Sequence, residues 1–360
     1  MSEISPETVQ SVLESFMDPE TGRNVVETGQ IADLSVDASR ISLTLGITTF
    51  AAPIAEEKRA ELFLLLQTKF PQVEEIDIKL GHCNRPPMAK GQVGLMAKKV
   101  IAVGSGKGGV GKSTVAVSLA SALKQMGCKV GLLDADVYGP SVPHLLGLSE
   151  EGIRIDDQER MIPVDCDGMP VHSMGFLVPK EEAVVWRGPM LHGSLVQMLG
   201  KTVWGELDYL IVDMPPGTGD VPLTLSQVIG PDGVVVVCTP QEVALLDAVK
   251  AIAMFRKVRI PILGIVENMS GFLCPNCQTT HDVFGTGGAK REAERLEVPF
   301  LGEIPLHIPI REHGDAGKAG ALSTDPQVAP FFERIAFQIV KGFAEGASAE
   351  PPGMELPVLD

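Results

Sequence analysis

The chain has 360 residues, 44% of them apolar, which is ample for a buried core. At roughly 100–200 residues per domain, it has room for one large domain and one small one. Only 5% of residues are aromatic, while Gly and Pro number 38 and 27, a profile that suits an α/β protein with many tight turns. With 30 basic against 46 acidic side chains the net charge is −16, which repels phosphate backbones and argues against DNA or RNA as a partner.

Residues 8–16 place Val9, Val12, Leu13 and Phe16 on one helical face. Strands are predicted at 31–36 and 41–47, the second alternating through Ile41, Leu43, Leu45 and Ile47. Helical periodicity returns over 55–70 through Leu62, Leu65 and Leu66, and 73–80 alternates through Val73, Ile76, Ile78 and Leu80. This is a small α+β domain over residues 1–80, in the order helix, strand, strand, helix, strand. Residues 81–98 lose periodicity, are rich in Gly, Pro and Lys, and read as a linker.

Beyond the linker, short strands of Val, Ile and Leu are predicted at 100–103, 130–134, 209–213, 234–238 and 262–266. Helices lie between them, for example at 113–126 and 242–256. Continuous apolar strands alternating with helices predict a mostly parallel central sheet flanked by helices, in a domain spanning 99–345. The Gly, Ala, Glu and Pro of 346–360 predict a disordered tail. No apolar run approaches the ~20 residues that span a bilayer, and the N-terminus lacks the basic and apolar regions of a signal peptide. A cytoplasmic protein with no membrane partner is therefore expected.

Gly106-Lys107-Gly108-Gly109-Val110-Gly111-Lys112-Ser113 follows the first of these strands, and Thr114 begins the next helix, which is the context a P-loop requires. The glycines let backbone N–H groups wrap phosphate oxygens, and the positive end of the helix faces the same anion. Lys112 is expected at the β- and γ-phosphates of ATP, and the Ser113 hydroxyl on Mg²⁺. Asp134-Ala135-Asp136 and Asp213-Met214-Pro215-Pro216-Gly217 end two further strands, where carboxylates project into the ligand crevice of an open α/β sheet.

An ordinary P-loop does not require Lys107, and residues 107–114 resemble the deviant Walker A motif of MinD/ParA-like ATPases. That resemblance implies an ATP-dependent homodimer in which Lys107 reaches the partner's nucleotide. It also implies that Asp213 is the Walker B acid on Mg²⁺, that Asp134 joins the metal shell, and that Asp136 positions the attacking water. Similar ATPases read the adenine edge with an Asn after the fifth strand, where Asn268 stands here.

Six cysteines stand at 83, 128, 166, 238, 274 and 277, and only the last two are close together. Cys274-Pro275-Asn276-Cys277 offers two thiolates to one soft metal, half of a four-coordinate set. Two copies across a twofold axis supply four sulfurs, enough for a 4Fe–4S cluster or a zinc. His281 is near, but a lone histidine in a polar stretch reads as solvated. Cys128 and Cys238 read as small hydrophobes, Cys166 as a turn residue between acids, and Cys83 as an exposed linker thiol.

Residues 104–114, Asp134 to Ser141, Trp186 to Met190, Asp213 to Asp220, Glu267-Asn268-Met269-Ser270 leading into the cysteine pair, and Gly302 to Leu306 together resemble Mrp/ApbC-type iron–sulfur cluster carrier ATPases. The resemblance implies a labile cluster held by Cys274 and Cys277 between subunits, with scaffold and recipient apo-proteins as partners. Trp186 and Arg187 are expected to dock a helix. The first 80 residues are similar to the iron–sulfur assembly domain often fused ahead of such carriers, but Ala52-Pro53 replaces its frequent Cys-Pro, which makes a docking module the expectation. Gln278 departs from the Gly that usually follows the cysteine pair. Three other readings remain: a zinc-stapled regulatory ATPase, a positioning ATPase and a thiol–disulfide enzyme. The acidic charge and the lack of a basic C-terminal helix disfavour the second, and a polar stretch after the cysteines disfavours the third.

Overall fold

The computed structural model describes residues 4–37, 39–177, 188–217, 219–274, 276–277 and 279–349. Their contacts divide into one unit within Met1–Arg85 and Phe337–Asp360 and a second within Pro86–Ala336.

The first unit contains α1 (Pro6–Leu13), β1 (Ile31–Val36), β2 (Arg40–Ile47), α2 (Ala55–Lys69) and β3 (Glu75–His82), in the predicted order. Ser5 and Thr8 close a capping box on α1, satisfying N–H groups that a helix start leaves orphaned. β1 runs antiparallel to β2 and β3 parallel to it, so α2 serves as the crossover that a parallel pair needs. Leu62 and Leu66 of α2 and Leu13 of α1 are fully buried, as are Ile41 and Leu45 of β2. Ala52-Pro53 lies in a short 3₁₀ turn at Thr49–Ile54.

In the second unit β4 (Ala89–Lys90) and β5 (Leu95–Gly104) precede α3 (Lys112–Gln125), β6 (Val130–Asp134) and α4 (Val142–Leu145). A small-stranded excursion follows as β7 (Arg154–Ile155), β8 (Met161–Ile162), β9 (Val164–Cys166) and β10 (Met169–Ser173). Then come α5 (Gly188–Gly200), β11 (Leu207–Asp213), α6 (Asp220–Val228), β12 (Gly233–Cys238), α7 (Glu242–Lys257) and β13 (Ile262–Leu273). β14 (Thr280–His281), α8 (Gly288–Leu296), β15 (Phe300–Leu306), α9 (Ile308–Asp315) and α10 (Ala329–Ala349) complete the described chain, with α10 from Phe337 onward counted in the first unit.

The central sheet runs β14-β13-β12-β5-β11-β6-β10-β9, with β15 also paired to β13 and β4 to β5. All pairings among β10, β6, β11, β5, β12, β13 and β15 are parallel, and only β9, β14 and β4 join antiparallel. Every residue of β6, β11 and β12 is buried, as strands covered on both faces must be.

Three expectations are corrected. Part of the 81–98 segment is strand, because its periodicity-breaking lysines meet acids: Lys90 reaches Asp232, and Lys98 lies 3.1 Å from Asp208. The fifth predicted strand continues past 266 to Leu273 as β13. Residues 346–349 belong to α10, where Ala347 and Ala349 favour helix; 350–360 lie outside the described residues. Among the described residues, no helix is long and apolar enough to cross a membrane.

Candidate nucleotide and thiol sites

The turn from β5 into α3 is built around glycine. Gly109 and Gly111 sit at φ 79° and 80°, where a side chain is strained. A Cβ on Gly106 would fall 2.1 Å from the Asp247 carbonyl oxygen of α7, and one on Gly111 would fall 2.2 Å from Asn268 Nδ2. The loop is thus wedged between α7 and β13. The Asn268 amide donates to the Val110 carbonyl at 2.8 Å, bracing the loop from below.

At the start of α3 the Lys112 ammonium lies 2.6 Å from Asp213 Oδ1, 3.6 Å from Asp136 Oδ2 and 3.2 Å from Ser113 Oγ. Asp134 and Asp213 are fully buried, and Lys112 and Asp136 are only 6% exposed. Asp134 accepts the Ser173 hydroxyl at 2.9 Å, the Asp136 N–H at 3.1 Å and the Val142 N–H at 3.2 Å. Burial, then the neighbouring Asp213, pushes its carboxyl up from the ordinary aspartate range. Burial also pushes Asp213 up, against the pull of Lys112.

When ionised, the three buried carboxyls outweigh the single ammonium, so the site is built for another cation. Asp213 Oδ2 is buried and has no hydrogen-bond partner among the described residues. With the Ser113 hydroxyl beside it, that donor set fits Mg²⁺, an oxygen-seeking ion that keeps part of its water shell. A cavity of about 300 Å³ opens above the loop, lined by Lys107, Gly108, Gly111, Lys112, Thr114 and Asp136 among others. Lys107 is half-buried on its wall, whereas Asn268 does not line it.

The cysteine pair occupies the tip of a hairpin. β14 turns back antiparallel on the end of β13, pairing Leu273 with Thr280 and Phe272 with His281. The Cys274 N–H donates to the Thr279 carbonyl at 3.0 Å, closing the loop. Cys274 is half-buried and Cys277 exposed. Their sulfurs and a ring nitrogen of His281 all lie within 4.8 Å of one another. Hydrogen bonds from Thr279 first, then His281 and Cys274, draw the Cys277 thiol down to about 6. His281, expected to be solvated, is exposed, and the hairpin register also sets it against the thiols. The C-x₂-C-x₃-H spacing was the available signal.

The two sites are joined by β13, which carries Asn268 under the P-loop and leads directly into Cys274. Glu267, fully buried, accepts the Ser270 hydroxyl at 2.7 Å and the N–H groups of Gly287 at 2.8 Å and Ala289 at 2.7 Å, which ties the strand to the start of α8. Met269 at φ 59° and Gly271 at φ 71° mark the irregularity in its pairing with β15. Elsewhere Cys128 and Cys238 are buried, and burial pushes both thiols up, Cys238 to about 12. Cys83 is half-buried, its N–H on the Ile47 carbonyl at 3.0 Å. Trp186, Arg187 and Gln278 lie outside the described residues.

A parallel sheet with a glycine-rich anion cradle, a buried lysine and carboxylates at the strand ends defines a P-loop NTPase. The model of the ParA-type NUBPL iron-transfer P-loop NTPases matches residues 96–340, and that of the iron–sulfur cluster assembly proteins matches residues 6–78. The chain belongs to the NUBPL iron-transfer P-loop NTPase family. It is 44% identical over 350 residues to the iron–sulfur cluster carrier protein of Deinococcus radiodurans, covering 96% of this chain and 98% of that one. The Escherichia coli protein of the same description is 49% identical over 272 residues, 75% of this chain and 72% of its own. Among solved structures, a nucleotide-binding protein from Archaeoglobus fulgidus in complex with ADP is 42% identical with a TM-score of 0.57, over 66% of this chain and 92% of that one.

Proposed function

We propose that the chain is an ATP-hydrolysing iron–sulfur cluster carrier that receives a cluster and delivers it to apo-proteins. The observation that carries this reading is the joining of a P-loop cavity to a solvent-facing thiol pair by one strand, β13. A purely structural metal staple has no need of that connection. The P-loop N–H groups and Lys112 hold the phosphates, and Asp136, on the cavity wall, is placed to orient a water. Ser113, Asp213 and, through the buried polar shell, Asp134 would hold Mg²⁺, which when bound neutralises phosphate charge. Asn268 braces Val110 and lies off the phosphate cavity, so its expected role toward adenine requires a base seated beyond that cavity.

The cargo is a 4Fe–4S cluster shared by a homodimer, each copy giving Cys274 and Cys277. Anaerobic reconstitution with iron and sulfide tests this. A brown dimer is expected, with visible absorption that disappears in Cys274→Ala and Cys277→Ala. Stoichiometric zinc in carefully isolated protein, with no cluster uptake, would sink the reading in favour of a zinc-stapled ATPase.

A further inference from the structure

We propose that a single protomer holds one divalent transition-metal ion on Cys274, Cys277 and His281, with a fourth position open to solvent. This rests on the hairpin tip being metal-bearing, as above, and adds a ligand that a four-sulfur site shared by two copies does not use. Its basis is geometric. The three ligand atoms lie within 4.8 Å of one another. Metal–sulfur bonds of about 2.3 Å and metal–nitrogen bonds of about 2.0–2.1 Å put neighbouring tetrahedral ligands roughly 3.5–3.8 Å apart. A small closure of the tip reaches that.

The arrangement is held by backbone, not by chance rotamers. Pairing of Phe272 with His281 fixes the histidine on the strand beside the cysteines. The Cys274 N–H on the Thr279 carbonyl closes the intervening loop. Two thiolates balance a doubly charged ion, and sulfur with imidazole selects Zn²⁺, Co²⁺ or Fe²⁺ over Mg²⁺ or Ca²⁺. Three protein ligands with a free position make an exchangeable site, in contrast to the closed four-ligand set of a structural zinc. Cys277 and His281 are both exposed, so an incoming or departing ligand meets no barrier of packed chain. The site thus suits uptake of a single metal ion by a protomer that is not paired through its cysteines.

Anaerobic titration of the full-length apo-protein with Co²⁺, without nucleotide, tests this by absorption and by solution mass on the same sample. Tetrahedral ligand-field bands and sulfur-to-cobalt charge transfer should saturate at one ion per chain while the protein stays monomeric. His281→Ala should weaken Co²⁺ binding by at least the about 10–100-fold that loss of an outer-shell partner costs, and His281→Cys should restore it with stronger charge transfer. Unchanged affinity in His281→Ala, or saturation at one ion per two chains with a four-sulfur spectrum, overturns the proposal. Cluster reconstitution on the same variants separates the two readings. One-to-one cobalt binding through His281 in a protein that takes up no cluster leaves this site standing and removes the carrier reading. Cluster uptake with no histidine-dependent cobalt site does the reverse.

Discussion

His172, on β10, is fully buried, with Nδ1 2.7 Å from Thr202 Oγ1 and its ring 6.3 Å from that of Trp204. Nε2 is buried with no partner among the described residues, so nothing compensates a positive charge there. Burial accordingly holds its pKa down to about 4. The unfolded chain takes that proton near pH 6.5, so between the two values the unfolded state binds more protons and stability falls as pH falls. Going from pH 7.5 to 5 should remove about 2 kcal/mol through this group alone, at 1.36 kcal/mol per pKa unit. Urea denaturation at the two pH values measures it. His172→Leu should lose that share of the pH dependence, and an unchanged slope in the variant contradicts the assignment. The buried carboxyls Asp134 and Asp213 show the same penalty in the opposite chemical sense, since burial favours their uncharged forms until a cation arrives.

Between the P-loop and the thiols β13 is anchored by Glu267, whose carboxylate accepts three short hydrogen bonds in a fully buried setting. Two of those donors are backbone N–H groups at the start of α8, of half-buried Gly287 and buried Ala289, and an apolar replacement leaves both without their acceptor. Glu267→Ala should cost about 3 kcal/mol in denaturant unfolding. A loss below about 0.5 kcal/mol, the scale of an ordinary surface substitution, rules out the strut. The legibility of the fold follows the same division between local and distant partners. Strands such as β6 and β12 were visible because burial on both faces demands unbroken Val, Ile and Leu. β10 and β15 were not, since Pro170 and His172 in one and Gly302, Glu303 and Pro305 in the other interrupt the apolar run. The P-loop and its strand-end acids could be read because each lies in one contiguous stretch. The contact of Asn268 with Val110 spans 158 positions and leaves no local trace, whereas the C-x₂-C-x₃-H spacing marks His281, although only hairpin register brings it to the cysteines.

At the scale of the whole molecule, a site on one copy is incomplete in the proposed function, since Lys107 lines its own cavity wall yet is assigned to the partner's nucleotide. In the proposed homodimer a positive charge supplied from outside acts on the developing phosphate charge, as an arginine finger does. Lys107→Ala should lower ATP turnover by about 10³-fold, the lower end for such a charge, while nucleotide affinity changes far less. Normal turnover in a purified variant that binds ATP contradicts action across the dimer. The net charge of −16 bears on the same association, because two like-charged chains repel at long range. Raising salt within the physiological range screens that repulsion and should favour pairing.

With its thiol drawn down to about 6, Cys277 is mostly thiolate at neutral pH, and it stands exposed beside a second sulfur. A thiolate is the metal-binding form and equally the form that reacts with oxidants and alkylating agents. The chemistry that makes the hairpin receptive therefore makes it perishable once emptied: in air, the two sulfurs can close on each other. Bound cargo acts as the protecting group of its own carrier.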